Sequence, residues 1–172
     1  MNLLDYLPGV PDFPKPGIVF RDISPLLSNP GAFQSAIAQM RAHAQDFDYT
    51  HILSIESRGF IFGSALAHVT NKGLALARKP NKLPLASHKE FFGLEYGSDA
   101  LEIQQSTLPA NAKVLIIDDV LATGGTIIAA DKLLRNAGFH VCGAITLLEI
   151  AFLDGKNLLD KNGITSKSVL VC

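Results

Sequence analysis

The sequence predicts an α/β fold in which helices flank a mainly parallel central sheet. Short apolar runs with the character of strands recur along the chain, and stretches with helical periodicity follow them. The chain has 172 residues, of which 48% are hydrophobic, so it can bury one substantial core but is short for two. We therefore expect a single domain over residues 1–172.

The first predicted elements are a helix, a strand and a second helix. Phe33, Ile37 and Met40 are spaced to fall on one face of a helix in the segment "PGAFQSAIAQMRAHAQ". Thr50–Ile55 is rich in β-branched residues between polar flanks and predicts a strand. The stretch that follows has helical periodicity, and Gly73 is its expected stop.

The middle of the chain contains a segment that is too long for a simple connection. A strand is predicted over Leu74–Lys79, and another resumes at Ala100. Between them, Pro80–Asp99 combines two prolines with scattered charges and aromatic residues. A connection of this length and composition is typical of a functional loop.

The second half predicts a central strand, a helix and a further strand. The apolar run "KVLIID" at residues 113–118 is the central strand. A helix follows from Thr126, with Gly138 as its expected stop, and His140–Glu149 is the next strand. The alternation therefore continues to residue 149.

Charge and cysteine content exclude several function classes. The 15 Lys and Arg residues nearly balance the 16 Asp and Glu residues, so we expect neither nucleic acid nor an anionic membrane as a partner. The two cysteines, Cys142 and Cys172, form no disulfide framework, and no signal peptide or membrane-spanning segment is evident. The histidines show no metal-ligand spacing. These features favour a cytoplasmic protein.

The end of the central strand carries the clearest functional pattern. Asp118 and Asp119 lie where α/β sheets bind ligands, and we expect exposed carboxylates there to accept hydrogen bonds from sugar hydroxyls. The next loop leads into a helix, so several backbone N–H groups can converge on one anion, with two threonine hydroxyls as extra donors. Its residues are Ala122, Thr123, Gly124, Gly125 and Thr126. The pattern predicts a site for a phosphorylated sugar.

Three other interpretations of this loop were weighed. A bare glycine pair is more often a tight turn between strand and helix, but the preceding aspartates and the flanking threonines favour a phosphate site. The Walker pattern requires Lys after its last glycine, whereas Thr126 follows Gly125. The dinucleotide fingerprint G-x-G-x-x-G is absent from the sequence.

The strand, the two acids, the short spacer and T-G-G-T resemble the signature of the phosphoribosyltransferases that use phosphoribosyl pyrophosphate (PRPP). Other segments, in the same order over almost the whole chain, are similar to the adenine-specific branch of that family. These segments are "PGIVFRDISPLL", "ESRGFIFG", "RKPNKLP" and "LEYGSDALEIQ". The resemblance implies the type I fold of the family, with a small N-terminal hood and a long mobile loop.

The resemblance also implies an activity. It is the reaction of adenine with PRPP to give AMP and pyrophosphate, in purine salvage, by a cytoplasmic homodimer. Mg²⁺ is the implied cofactor, and it would be carried by PRPP without a dedicated protein ligand, because Mg²⁺ prefers oxygen ligands and keeps several waters.

Roles for individual residues follow from the same resemblance. The loop 122–126 would hold the 5-phosphate, and Asp118 and Asp119 would meet the ribose hydroxyls. Arg58 is expected on the pyrophosphate because guanidinium groups bind phosphate oxygens in a forked geometry. Arg78 and Lys79 end the next strand at the same edge of the sheet and are expected there too.

The resemblance assigns the remaining residues to catalysis and to the base. Glu95 is the acid associated with catalysis, within a loop from Lys82 to about Glu102 that covers the reacting centre. Phe20 would lie against the purine, and backbone groups around Val19 and Arg21 would bind its polar edge. Ile150 would lie on the other face of the ring. Without the resemblance, Phe20 and Ile150 would be interpreted as ordinary core residues.

Two positions depart from the family pattern. Asn81 stands where glycine is common, and asparagine tolerates left-handed backbone, so we expect a mild effect. Phe92 stands where tyrosine is frequent, which puts in doubt any role for that hydroxyl in loop closure or proton transfer.

Two alternative functions remain open at this stage. One is a phosphoribosyltransferase for another purine, since base choice depends on few contacts. The other is a non-catalytic sensor of PRPP or a nucleotide, although the chain has neither the spare length nor the basic charge of a DNA-binding regulator.

Overall fold

The computed structural model describes residues 1–93 and 99–172. The chain forms two compact units, Met1–Gln39 and Met40–Cys172. The single domain expected from chain length stays a prediction. Among the described residues, every helix is too short or too polar to span a bilayer.

The first unit is small and contains one two-stranded sheet. Its elements are a 3₁₀ turn at Leu3–Tyr6, strands β1 (Gly9–Pro11) and β2 (Val19–Arg21), helix α1 (Ser24–Ser28) and the start of helix α2 (Pro30–Ala44). Strands β1 and β2 pair antiparallel. Leu3, Leu7 and Leu26 are buried and form part of its core.

Among the described residues, the second unit contains a five-stranded parallel sheet, a pair of antiparallel strands and three α-helices besides the end of α2. In chain order these are β3 (His51–Ile55), α3 (Gly59–Thr70), β4 (Gly73–Ala77), β5 (Ser87–Phe92), β6 (Asp99–Gln104), β7 (Lys113–Leu121), α4 (Gly125–Asn136), β8 (His140–Glu149), α5 (Gly155–Lys161) and β9 (Ser166–Val171). The predicted α/β class with a parallel sheet flanked by helices is confirmed.

The strand order determines where a ligand can bind. The sheet runs β4-β3-β7-β8-β9, so the chain leaves β3 toward one edge and returns to β7 on the other side of β3. Parallel pairing joins β3 to both β4 and β7. The carboxyl ends of β3 and β7 therefore flank the topological switch point, which is the usual crevice for ligands in such sheets.

The two faces of the sheet are covered by different elements. Leu53 and Ile55 of β3 and Val114 and Ile116 of β7 share one buried cluster with α4 and β6. The intervening residues face the other way, since Ser54 Oγ donates to the carbonyl of Gly59 at the start of α3. Burial on both faces explains the nearly continuous apolar runs in these strands.

Several element boundaries differ from the sequence-based expectation. Helix α3 ends at Thr70, because Asn71 adopts a left-handed conformation with φ of 53° and stops it before Gly73. Asn81 also has a positive φ, 63°, the left-handed conformation that asparagine was expected to tolerate there. The segment Pro80–Asp99 is more than a loop, since it contains β5. Helix α5 and strand β9 were not predicted.

Candidate active site

Five of the predicted site residues lie at or near the carboxyl ends of neighbouring strands of one sheet. Asp118 and Asp119 belong to the second half of β7, and Arg58 lies between the end of β3 and the start of α3. Arg78 and Lys79 follow β4, which pairs with β3 on its other side. Because these strands are parallel, all five residues lie at the carboxyl edge of the sheet, as expected from the sequence.

The two aspartates are buried, so the prediction of exposed carboxylates is wrong. Asp118 retains 9% of its accessible surface and Asp119 8%. Strand β7 continues past them to Leu121, and Asp118 pairs with Thr146 of β8. The start of α3 also closes over Asp118, because a Cβ on Gly59 would lie 2.8 Å from Oδ1 of Asp118.

The buried environment changes the acidity of Asp118. Burial raises the pKa of Asp118 well above its usual range, and the neighbouring charge of Asp119 raises it further. The main-chain N–H of Asp119 donates to Oδ1 of Asp118 at 2.9 Å, which favours ionisation but does not outweigh burial. Asp118 can therefore keep its proton at higher pH than an ordinary aspartate, and can then donate to a sugar hydroxyl as well as accept from one.

Arg58 and Asp119 form an ion pair. Nη2 of Arg58 lies 2.6 Å from Oδ2 of Asp119. Among the described residues, no donor forms a hydrogen bond of standard geometry with Oδ2 of Asp119, so the contact with Arg58 is mainly electrostatic. This oxygen can still accept a hydrogen bond from a ligand. Arg58, which was predicted to bind pyrophosphate, thus contacts Asp119, which was predicted to bind ribose.

The loop after β7 forms the expected cradle. A concave space of about 50 Å³ is lined by residues 120–127. Helix α4 begins at Gly125, and its cap residue Gly124 has φ of 90° and no side chain to satisfy the first N–H groups. Those N–H groups have no partner within a helix, so they are available to an anion.

Helix α5 packs against this loop. A Cβ on Gly124 would lie 3.2 Å from the carbonyl oxygen of Gly155 and 3.4 Å from Leu159. The main-chain N–H of Ile150 donates to the carbonyl of Leu121 at 2.9 Å, which holds the end of β8 beside the loop. The backbone of the cradle is therefore set by tertiary contacts as well as by its glycines.

Glu56 is a site residue that the sequence reasoning missed. Its Oε2 accepts from Nε of Arg78 at 3.0 Å and from the main-chain N–H of Lys79 at 2.7 Å. Partial burial opposes ionisation, but these donors and the Arg78 charge outweigh it and lower the pKa of Glu56. Its position directly after β3, two residues before Arg58, was the available signal.

The expected loop from Lys82 to Glu102 contains two paired strands. Strands β5 and β6 pair antiparallel without a register shift, from Ser87 opposite Gln104 to Phe92 opposite Asp99. Phe92 packs against the main buried cluster, so an apolar ring is favoured at this position. Glu95, the expected catalytic acid, lies outside the described residues.

The four expected adenine residues belong to different units. Val19, Phe20 and Arg21 form β2 of the first unit, where the Phe20 ring meets Phe13 edge to face at 5.1 Å. Val19 is exposed, and Arg21 donates through Nη1 to the carbonyl of Leu7 at 3.2 Å. Ile150 is half-buried in the second unit. Phe20 is half-buried too, so neither is an ordinary core residue.

Comparison with known proteins agrees with this architecture. A family model described as "Phosphoribosyl transferase domain" matches residues 24–162. An adenine phosphoribosyltransferase of Polynucleobacter asymbioticus is 79% identical over 170 residues, which cover 99% of each chain.

Solved structures give the same result. The adenine phosphoribosyltransferase of Thermoanaerobacter pseudethanolicus superposes with a TM-score of 0.91 at 38% identity, covering 99% of this chain and 98% of that one. The Saccharomyces cerevisiae enzyme, solved with an imino-altritol bisphosphate and adenine, has a TM-score of 0.90 at 35% identity, with 98% and 96% covered.

The sheet, the cradle and these matches define a class of protein: the chain belongs to the phosphoribosyltransferase family. Within that family its relatives are adenine phosphoribosyltransferases, so the resemblance noted in the sequence is confirmed.

Proposed function

We propose that the carboxyl edge of the sheet transfers the 5-phosphoribosyl group of PRPP to adenine, giving AMP and pyrophosphate. The observation that carries the proposal is the junction of β3 and β7, where Arg58 contacts Asp119 beside the cradle of residues 122–126. An anion cradle, buried carboxylates and a guanidinium within one crevice match the three parts of PRPP.

Each part of PRPP has its own partners in this proposal. The N–H groups and threonine hydroxyls of residues 122–126 bind the 5-phosphate. Asp118 and Asp119 hydrogen-bond the ribose hydroxyls. Arg58, Arg78 and Lys79 bind the pyrophosphate, as suits guanidinium and ammonium groups.

The reaction breaks the bond from C1 of the ribose to pyrophosphate and forms one from C1 to N9 of adenine. Positive charge develops on the sugar in the transition state, as in glycoside cleavage, and the negative charge of Asp119 beside the ribose would stabilise it. Arg58 contacts that carboxylate, and its guanidinium would stabilise the pyrophosphate as the bond lengthens. Glu95 or another group of the loop that carries it would take the proton from N9.

By the sequence resemblance, Phe20 would contact the base and the backbone of Val19 and Arg21 would bind its polar edge. Ile150 is the aliphatic residue that the same resemblance assigns to the base. An aromatic and an aliphatic side chain suit a neutral purine. A site built to hydrogen-bond an amino group would reject oxo-purines, because each mismatched buried polar group costs about 1–3 kcal/mol.

Mg²⁺ fits this donor set as an ion that enters with PRPP. Its ligands would come mainly from PRPP oxygens and water, because Asp119 is already paired with Arg58 and Asp118 holds its proton more tightly than an ordinary aspartate. When bound, Mg²⁺ would neutralise charge on the pyrophosphate. A homodimer located in the cytoplasm completes the proposal, as the sequence resemblance implies.

Competition between bases tests the function. The purified protein is incubated with PRPP, Mg²⁺ and equal amounts of adenine, hypoxanthine, guanine and xanthine, and the nucleotides formed are separated. AMP should exceed every other product by at least about 100-fold, the ratio expected when two polar groups are mismatched. A different nucleotide would change the base assignment, and binding of PRPP without any product would favour the sensor.

A further inference from the structure

The ends of β3 and β4 are joined at Glu56, and the β5–β6 hairpin is joined to Arg78, the residue after β4. Besides its two side-chain contacts, Glu56 donates its main-chain N–H to the carbonyl of Ala77 at 2.9 Å, so the end of β3 is tied to the end of β4. Arg78 is held in turn by Glu102 of β6, through two main-chain hydrogen bonds of 2.8 Å.

These contacts constrain the guanidinium of Arg78. Its Nε donates to Glu56 at 3.0 Å, and its Cζ lies 5.8 Å from the centre of the Phe60 ring. A guanidinium engaged through Nε and placed over a ring has a defined plane, with its terminal nitrogens left as the edge that can face an anion. The main-chain bond to Lys79 holds the next residue of the same turn.

Charge alone predicts the opposite of this arrangement. An ionised carboxylate close to a pyrophosphate site repels the anion and reduces the net positive charge of Arg78. The lowered pKa of Glu56 means that this negative charge persists at neutral pH. A carboxylate there therefore favours binding only if orienting Arg78 and Lys79 outweighs the repulsion.

We propose that Glu56 is a positioning residue that sets the affinity of the site for pyrophosphate by orienting Arg78 and the main chain of Lys79. The proposal rests on the pyrophosphate role proposed above for those two residues. It assigns Glu56 no contact with substrate and no part in proton transfer.

The test compares Glu56→Ala and Glu56→Gln with the wild-type protein. Binding of Mg-pyrophosphate, Mg-PRPP and AMP is measured by calorimetry, together with the KM values of PRPP and adenine. Glu56→Ala should weaken pyrophosphate and PRPP binding by roughly 10- to 100-fold, as expected on losing a hydrogen bond to a charged group. AMP, which lacks the pyrophosphate, and the KM of adenine should change by less than about 2-fold.

The amide variant separates orientation from charge. Glu56→Gln keeps an oxygen that can accept from Arg78, so it should restore much of the affinity lost in Glu56→Ala. It is close in shape to the native side chain, so it also carries the test if the alanine variant does not fold. Asp131→Asn is the matched control, because Asp131 pairs with Arg135 within α4 at 2.9 Å and lies outside the proposed site.

A double variant shows whether Glu56 acts through Arg78. If it does, the double variant Glu56→Ala/Arg78→Ala should bind pyrophosphate only slightly more weakly than Arg78→Ala alone. The part of the Glu56 effect that acts through Arg78 is then already lost, and only the part through Lys79 remains. The two single losses of affinity should therefore be far from additive. Full additivity, tighter pyrophosphate binding by Glu56→Gln, or an equal loss of AMP affinity would overturn the proposal. A wild-type protein that forms no AMP would instead contradict the proposed function.

Discussion

At the scale of single residues, burial controls the chemistry of the candidate site. Two adjacent carboxylates at a strand end are ordinarily solvated, but here β8 and α3 enclose them. Burial affects the two aspartates differently. The charge of Asp119 is balanced by Arg58, whereas burial raises the pKa of Asp118. The residues that would bind ribose are thus held at a cost in stability.

We expect Asp118→Asn to stabilise the fold while impairing catalysis. A carboxyl with a raised pKa contributes stability below its unfolded-state pKa of about 3.9, and loses it as pH rises through the folded value. The amide keeps an oxygen for the Asp119 N–H but cannot ionise. Its unfolding temperature at pH 8 should exceed that of wild type by roughly 2–4 °C, by calorimetry.

The advantage of Asp118→Asn should shrink as the pH falls below the unfolded-state pKa of about 3.9, because the wild-type carboxyl is then protonated in both states. Activity with PRPP should fall at least about 10-fold at every pH. A variant less stable than wild type at pH 8 would contradict the assigned burial cost.

Gly124 is the residue on which the cradle most depends. Its φ of 90° is strained for any residue with a Cβ, and that Cβ would also press on Gly155. Gly124→Ala should cost about 1–3 kcal/mol of unfolding free energy and abolish detectable PRPP binding in calorimetry.

The control for that change is Gly138→Ala. Gly138 has nearly the same φ, 89°, but lies after the far end of α4 and has open space around it. It should lose similar stability and keep PRPP binding. Equal loss of binding in both variants would mean that stability, rather than loop geometry, governs the effect.

At the scale of elements, the site depends on parts of the chain that carry no motif. Helix α5 lies under the loop after β7, and the β5–β6 hairpin is joined to Arg78 through Glu102. The hairpin also packs on α4, where Asn136 donates to Glu90 at 3.2 Å. These elements keep the loops in place after β4 and β7.

Phe92 tests how the hairpin is held. Its ring packs against the main buried cluster, whereas neighbouring Phe91 is 61% exposed. Phe92→Ala should lower the unfolding free energy by about 1.5–3 kcal/mol in urea, and Phe91→Ala by no more than about 0.5 kcal/mol. Similar losses in the two variants would show that Phe92 does not anchor the hairpin.

At the scale of the whole molecule, ligand binding should couple to stability. A ligand that binds only the folded state stabilises it by about 2.7 kcal/mol at 100 times its Kd. PRPP with Mg²⁺ should therefore raise the unfolding temperature by several degrees. Chelation with EDTA should remove both this shift and AMP formation, and an unchanged rate in EDTA would exclude a need for the metal.

Much of the fold was predictable because its signals are local. Apolar runs and helical periodicity identified β3, α3, β7, α4 and β8, and Asn71 displaced the end of α3 by only a few residues. The β5 strand was missed because prolines and charges dominate its surroundings. Helix α5 was missed too, since its seven residues show little periodicity.

The sequence by itself determined the class of fold and the chemistry available at residues 118–126, because residue type, spacing and turn chemistry act over a few neighbouring positions. Only the tertiary structure decided that Asp118 and Asp119 are buried, that Arg58 pairs with Asp119, and that Glu56 holds Arg78 across 22 positions of the chain. The reason is physical: burial and ion pairing depend on which distant strands become neighbours, and no local pattern records that.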